Sequence, residues 1–224
     1  MGIDVIPYKT CTFNCVYCER GRTTRLTTER AEFYPVEEVF KELSDYLASH
    51  PFPDCVTFSG SGEPTLYSKL GQLTKMIKAA YPDLKVALLT NSSLFSEPKV
   101  RQEAALCDLV LPSLDACTRE EFLRVDRPHK DIDLTGIVEG LIKFRSEFSG
   151  PIWLEILIVQ GVNDSPKSLS RLHETILKIK PDKVQLNTIV RPPAEPGCQP
   201  VPGRFLQEVA ESWSDLDVEV LSHT

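Results

Sequence analysis

The sequence predicts an α/β protein built on a parallel sheet. Short runs of branched apolar residues alternate with longer segments of helical period, and about six such strand–helix units fit between Ile3 and Asn187. With 224 residues and 42% hydrophobic content, the chain can bury a full core. The alternation implies right-handed βαβ crossovers. An open doubly wound sheet and a closed or partly closed barrel both satisfy it.

In order, strands are expected at Ile3–Pro7, Cys55–Ser59, Val86–Thr90, Leu109–Ser113, Ile152–Val159, Lys183–Asn187 and Val218–Val220. The first helix, Val36–Ser49, carries Val36, Val39, Phe40, Leu43 and Leu47 on one stripe. The second, Leu66–Ala80, repeats the pattern with Leu66, Leu70, Leu73, Met76, Ile77 and Ala80. Further helices are expected at Lys99–Leu106, Leu134–Phe148, Ser165–Ile179 and Phe205–Trp213. The proline-rich stretch from Pro192 to Gly203 suits neither helix nor central strand and reads as an ordered loop. One domain over residues 1–224 is expected, with its core at about 2–195 and a C-terminal loop, helix and strand in 196–224.

A net charge of −7 and a pI near 5.2 argue against a broad nucleic-acid-binding surface while leaving room for a local basic patch. No apolar run approaches the roughly 18–20 residues that span a bilayer. The start, Met1 to Pro7, has no basic flank and apolar stretch of a signal peptide, and Ile6 breaks the myristoylation pattern that Gly2 would open. A cytoplasmic location is expected. Seven cysteines, an odd number, fit reduced thiols better than a disulfide framework.

Three of those cysteines lie within eight residues: Cys11-Thr12-Phe13-Asn14-Cys15-Val16-Tyr17-Cys18. The loop follows the first expected strand, at the end of a parallel sheet where ligand sites gather. Three thiolates can take three corners of an iron–sulfur cubane and leave the fourth iron open, whereas ferredoxins and structural zinc sites use four ligands. Cys55, Cys107, Cys117 and Cys198 are scattered singly, and the four histidines have no ligand spacing. The i, i+4, i+7 spacing also allows a buried helical face, but Thr10, Thr12 and Asn14 interrupt any apolar stripe.

This motif, with Tyr17 just before the third cysteine, resembles that of the radical S-adenosylmethionine (SAM) superfamily. Phe58-Ser59-Gly60-Ser61-Gly62-Glu63-Pro64 is similar to the superfamily's GGE motif, with Ser61 where the first glycine stands. Thr90-Asn91-Ser92 closes the third strand and Ser113-Leu114-Asp115 the fourth. Gly161-Val162-Asn163-Asp164 after the fifth strand and Val190-Arg191-Pro192-Pro193-Ala194-Glu195 after the sixth resemble the Fe–S oxidoreductase branch that includes wyosine-synthase-like proteins. The resemblance implies a partial (β/α)6 barrel, a 4Fe–4S cluster on Cys11, Cys15 and Cys18, and SAM chelated to the open iron. It also implies an enzyme that cleaves SAM reductively to a 5′-deoxyadenosyl radical, fed by a flavodoxin- or ferredoxin-like electron donor. An electron-transfer or cluster-carrier protein without SAM chemistry is the alternative, and a zinc-stabilised nucleotide-binding module a second.

The resemblance assigns SAM contacts to Tyr17, Ser61, Gly62, Glu63, Thr90, Asn91, Ser113, Asp115, Glu155 and Asn187. The small residues Gly60-Ser61-Gly62 would permit close approach to the methionyl group, although the same string is an ordinary turn. Glu63 suits an anion behind the site. Ser113 and Asp115 continue the face of Leu109 and Leu111, but Asp115 could equally cap the helix starting near Cys117-Thr118. Glu155, mid-strand among apolar residues, needs a ligand or a basic partner. Gln185 and Asn187 either line the lumen or hydrogen-bond in the core. The adenine motif is reduced to Ile158-Val159-Gln160-Gly161 with one glycine, leaving Tyr17 and backbone groups for adenine. Cys198 reads as an incidental thiol. Lys9, Arg20, Arg22, Arg25, Arg30, Arg124, Arg127, Lys130 and Arg191 all follow strands and predict a basic rim, hence an anionic substrate such as an RNA, nucleotide, phosphorylated metabolite or acidic peptide.

Overall fold

The computed structural model describes residues 1–221. Its strands are all parallel. β1 (Gly2–Ile3), β4 (Cys55–Phe58), β5 (Lys85–Thr90) and β6 (Leu109–Pro112) form one sheet in that order. β7 (Trp153–Ile158), β8 (Lys183–Thr188) and β9 (Val218–Val220) form another. Pro112 has no N–H to donate, and the ladder breaks there. Bridges Val110–Ile152 and Ser113–Glu155, with Leu114 N donating to Glu155 O at 3.0 Å, still join β6 to β7. The result is one curved parallel series that does not close, since β1 and β9 are not paired among the described residues.

Along β7 the residues alternate between half-buried (Trp153, Glu155, Leu157) and fully buried (Leu154, Ile156, Ile158). The fully buried set packs under helices; the other set faces the lumen. α1 (Val36–Ser49), α2 (Leu70–Ala80), α5 (Leu134–Glu147), α6 (Pro166–Ile179) and α7 (Gly203–Ser212) cover the outer face. Leu43 and Leu47 of α1, Leu73 and Ile77 of α2 and Leu141 and Phe144 of α5 point into the core. Each such side chain contributes about 1.5–3 kcal/mol by leaving water.

Two expected elements are shorter than their apolar patterns. The first strand ends at Ile3 instead of Pro7, because the Asp4 carboxylate accepts from Ile6 N, Ser61 N and Ser61 Oγ and bends the chain out of the ladder. The helix expected over Leu66–Ala80 is divided into a single 3-10 turn at Pro64–Leu66 and α2. Between them Tyr67 is buried, its hydroxyl donates to Tyr34 O, and Ser68 N donates to Ala31 O. Those contacts hold the backbone extended where periodicity would coil it.

One feature was not anticipated as an element: β2 (Thr10–Cys11) and β3 (Arg25–Leu26) form a small parallel ribbon. The helix expected to start near Cys117-Thr118 is α4 (Arg119–Val125), which follows β6. α3 (Pro98–Ala104) precedes β6.

Candidate cluster and cofactor site

The cysteine loop leaves β1, passes through β2 and returns through β3, so Cys11 is clamped by Thr27 N donating to its carbonyl at 3.0 Å. Beyond it the loop leans on the end of α4. Asn14 N donates to Asp126 O, Val16 N to Val125 O and His129 N to Thr12 O, at 2.8–3.0 Å. Phe13 packs edge-on against Phe122 at 5.4 Å. Cys18 N to Cys15 O and Gly21 N to Cys18 O make the final turns, with Gly21 in the left-handed region at φ 82°.

This folding places the three thiols near enough to influence one another while giving each a different neighbour, although among the described residues they do not form a closed ligand set for a single metal ion. Cys11 Sγ faces Asn91 Nδ2 at 3.6 Å, Cys15 Sγ faces Asp126 Oδ1 at 3.6 Å, and Cys18 Sγ accepts from Lys9 Nζ at 3.1 Å. Burial, and then Glu63, push the Cys11 thiol up to about 12. Burial and Asp126 push Cys15 well above the usual range, with Cys11 and Cys18 adding to it. Buried thiols of this kind ionise when a metal replaces the proton. Three half-buried sulfurs on one loop, near enough to influence one another, are a donor set of the kind that holds an iron–sulfur cluster.

Asp115 carries the wall behind them. Its Oδ2 accepts from Tyr17 Oη at 2.5 Å and its Oδ1 from Leu157 N at 2.8 Å. The helix-capping role falls instead to Thr118, whose side chain accepts from Glu121 N. Burial raises Asp115 to about 7, and burial with Asp115 nearby raises Asp126 well above the carboxylate range. Ser113, Asp115, Asp126, Tyr17 and Asn91 line one small internal cavity.

Glu63 lies behind the loop, with Oε1 accepting from Thr65 N, Thr65 Oγ1 and Thr90 Oγ1, and Oε2 from Asn91 N, at 2.6–3.0 Å. Burial raises its carboxyl despite those donors. Asn91, so anchored, donates to Thr12 Oγ1 at 2.8 Å as well as facing Cys11. The room left by the missing side chain of Gly62 is filled by the chain's own Thr10 carbonyl, 1.8 Å from where a Cβ would lie. Ser61 is held by Asp4.

On the lumen side, Tyr17, Cys18, Gly60, Glu155, Asn187 and Arg191 are among the residues around an open cavity of about 360 Å³. Asn187 Nδ2 donates to Glu155 Oε1 at 3.3 Å, and Glu155 forms no salt bridge among the described residues. Gln185, on the same strand, bonds instead to Glu219 of β9. Cys198 is half-buried near Glu195. A cavity of about 330 Å³ beside β1 and α1, lined by Met1, Tyr34 and Tyr46, contains none of these cysteines.

The basic rim needs correction. Five of the nine groups are matched by carboxylates: Arg20 and Arg191 by Glu19, Arg22 and Arg127 by Glu195, and Arg30 by Glu103. Arg25 sits over the Phe33 ring, Arg124 donates to Gly161 O, and Lys9 turns inward. At the mouth, four arginines thus share two glutamates. Lys9, Asp4, Thr12, Asp126 and Glu195 gained their places only through the fold; a lysine two positions before Cys11 is the one signal visible in the sequence.

The profile of the Radical SAM superfamily matches residues 5–172. The chain is 44% identical over 191 residues to the protein named GTPase Obg of Brachyspira hyodysenteriae, covering 85% of this chain and 28% of that protein. It is 36% identical over 202 residues to the UPF0026 protein MJ1312 of Methanocaldococcus jannaschii, covering 89% of this chain and 62% of that protein. The chain therefore spans less than two thirds of the length of these relatives. The structure of TYW1 with a lysine-pyruvate adduct bound superposes with a TM-score of 0.69 at 18% identity, covering 93% of this chain and 70% of that one. That likeness is one of fold. With its parallel, unclosed strand series and the profile match over three quarters of its length, the chain belongs to the Radical SAM superfamily.

Proposed function

We propose that this chain is a radical SAM enzyme in which Cys11, Cys15 and Cys18 hold a 4Fe–4S cluster and SAM binds beside it in the lumen. The observation that carries the reading is the meeting of three thiols on one loop at the C-terminal mouth of the parallel strands, with a cavity opening beside Cys18. A cluster held by these cysteines would supply the electron for reductive cleavage of SAM to methionine and a hydrogen-abstracting 5′-deoxyadenosyl radical.

The chain's own residues bind and orient. Asn91 donates toward the Cys11 sulfur and keeps the loop in register with β5. Tyr17, Ser113, Glu155 and Asn187 offer the cavities hydroxyl, carboxylate and amide groups suited to the ribose, ammonium and adenine of SAM. Asp115, Ser61, Gly62, Glu63 and Thr90 hold the walls in place. Four arginines on two glutamates leave cationic charge in excess within that cluster on an acidic chain, which favours an anionic substrate. A flavodoxin- or ferredoxin-like protein supplies the electron.

Anaerobic reconstitution tests the reading. About four irons per chain are expected in the wild type, fewer after Cys15→Ala, and 5′-deoxyadenosine on adding SAM and dithionite. Full iron in Cys15→Ala would overturn the ligand assignment. Iron-loaded wild type that forms no 5′-deoxyadenosine would be an electron carrier instead.

A further inference from the structure

Lys9 is a buried cation without a carboxylate. Its residue is 3% exposed, and it takes part in no salt bridge among the described residues. The side chain could snorkel outward, as lysines at a rim do, yet it runs inward and places Nζ 3.1 Å from Cys18 Sγ. Its charge is also felt at Cys11. The backbone at Lys9 is held in an uncommon conformation. Lys9 has φ 58°, in the left-handed region that a non-glycine residue seldom adopts. Lys9 N donates to Ser61 O, and Lys9 O accepts from Thr24 N and Arg25 N, so both neighbouring loops enforce it. A buried ammonium with no counter-charge is costly, and the anions within its reach are the thiolates of the proposed site.

We propose that Lys9 is the electrostatic partner of the cluster held by Cys11, Cys15 and Cys18, favouring its one-electron-reduced form. This rests on the cluster reading above. Reduction adds one electron from an external low-potential donor and makes the thiolate-bound centre one unit more negative. A fixed positive charge against one of its sulfurs stabilises that state relative to the oxidised one. Lys9 is thus a tuning residue acting through Cys18, separate from the groups offered to SAM.

The test compares wild type, Lys9→Gln and Lys9→Arg, each reconstituted anaerobically, by iron content, by redox titration followed by electron paramagnetic resonance, and by SAM affinity. All three should hold the same iron. Lys9→Gln should be reduced about tenfold less favourably, a shift of about 59 mV to more negative potential for one electron, and Lys9→Arg should stay near wild type. Equal potentials in wild type and Lys9→Gln at full iron content would overturn the proposal. So would a loss of SAM affinity in Lys9→Gln with unchanged potential, which would assign the ammonium to the SAM carboxylate. Loss of iron from both variants with the fold intact would make Lys9 a builder of the loop and also overturn it. Wild type that takes up no iron would instead refute the cluster reading.

Discussion

Tyr17 Oη donates to Asp115 Oδ2 across 98 residues of sequence, while the other oxygen of that carboxylate accepts from Leu157 N. One buried side chain therefore ties the cysteine loop, the end of β6 and the C-terminal end of β7 into a unit. Tyr17→Phe should remove a single donor and leave the carboxylate under-satisfied, costing about 1–3 kcal/mol. Urea unfolding of the cluster-free, reduced protein measures this. An unchanged midpoint would mean that the contact adds nothing to the fold.

Gly62→Ala should damage the site through backbone. The added Cβ would lie 1.8 Å from the Thr10 carbonyl oxygen, which cannot rotate away as a side chain could. Overpacking of this kind costs about 1–3 kcal/mol or more, and the displaced strand carries Cys11. Lower thermal stability and lower iron uptake are both expected. Gly197→Ala, which meets nothing within 4 Å, is the control and should behave as wild type.

Asp115 gives the cluster-free protein a pH dependence of defined sign. Burial raises its folded value to about 7 from an ordinary 3.8. Between those values the native carboxyl keeps a proton that the unfolded chain has released, so stability falls as pH rises across that window. Glu63 and Asp126, raised chiefly by burial as well, add to the trend. Asp115→Asn, which cannot titrate, should show a flatter profile of melting temperature against pH at constant ionic strength. Identical slopes would refute the assignment.

Glu195 accepts from Arg127 Nη1 at 2.6 Å and Arg22 Nη2 at 3.1 Å, and the Arg127 bond holds its carboxyl below the usual range. Both arginines are exposed to water, so losing the pairs should change stability little. Glu195→Gln frees two guanidinium groups at the mouth. Its affinity for a short RNA oligonucleotide used as a polyanion probe should rise, with a steeper dependence on salt. Unchanged binding at low salt would count against an anionic substrate.

Strand–helix alternation, the order of the strands along the chain and the three-cysteine motif are legible in the residues alone, because apolar periodicity and ligand spacing are local properties. Val36–Ser49 was legible to the residue, since its stripe and its boundaries lie within the segment. The end of β1 was not, because Asp4 bends the chain toward Ser61, 57 residues away. The same distinction divides the site. The C-x3-C-x2-C spacing and the polar ends of β5 and β6 can be read in one dimension. That Lys9 turns inward to Cys18, that Asp126 faces Cys15, and that Glu195 matches two of the rim arginines depend on tertiary structure. One cause is common to all three: a charged or hydrogen-bonding side chain is committed by the partner that burial or loop closure brings to it, and that partner is distant in sequence or set by the loop's closure. The cap of α4 is local by contrast, since Thr118 accepts from Glu121 N three residues on.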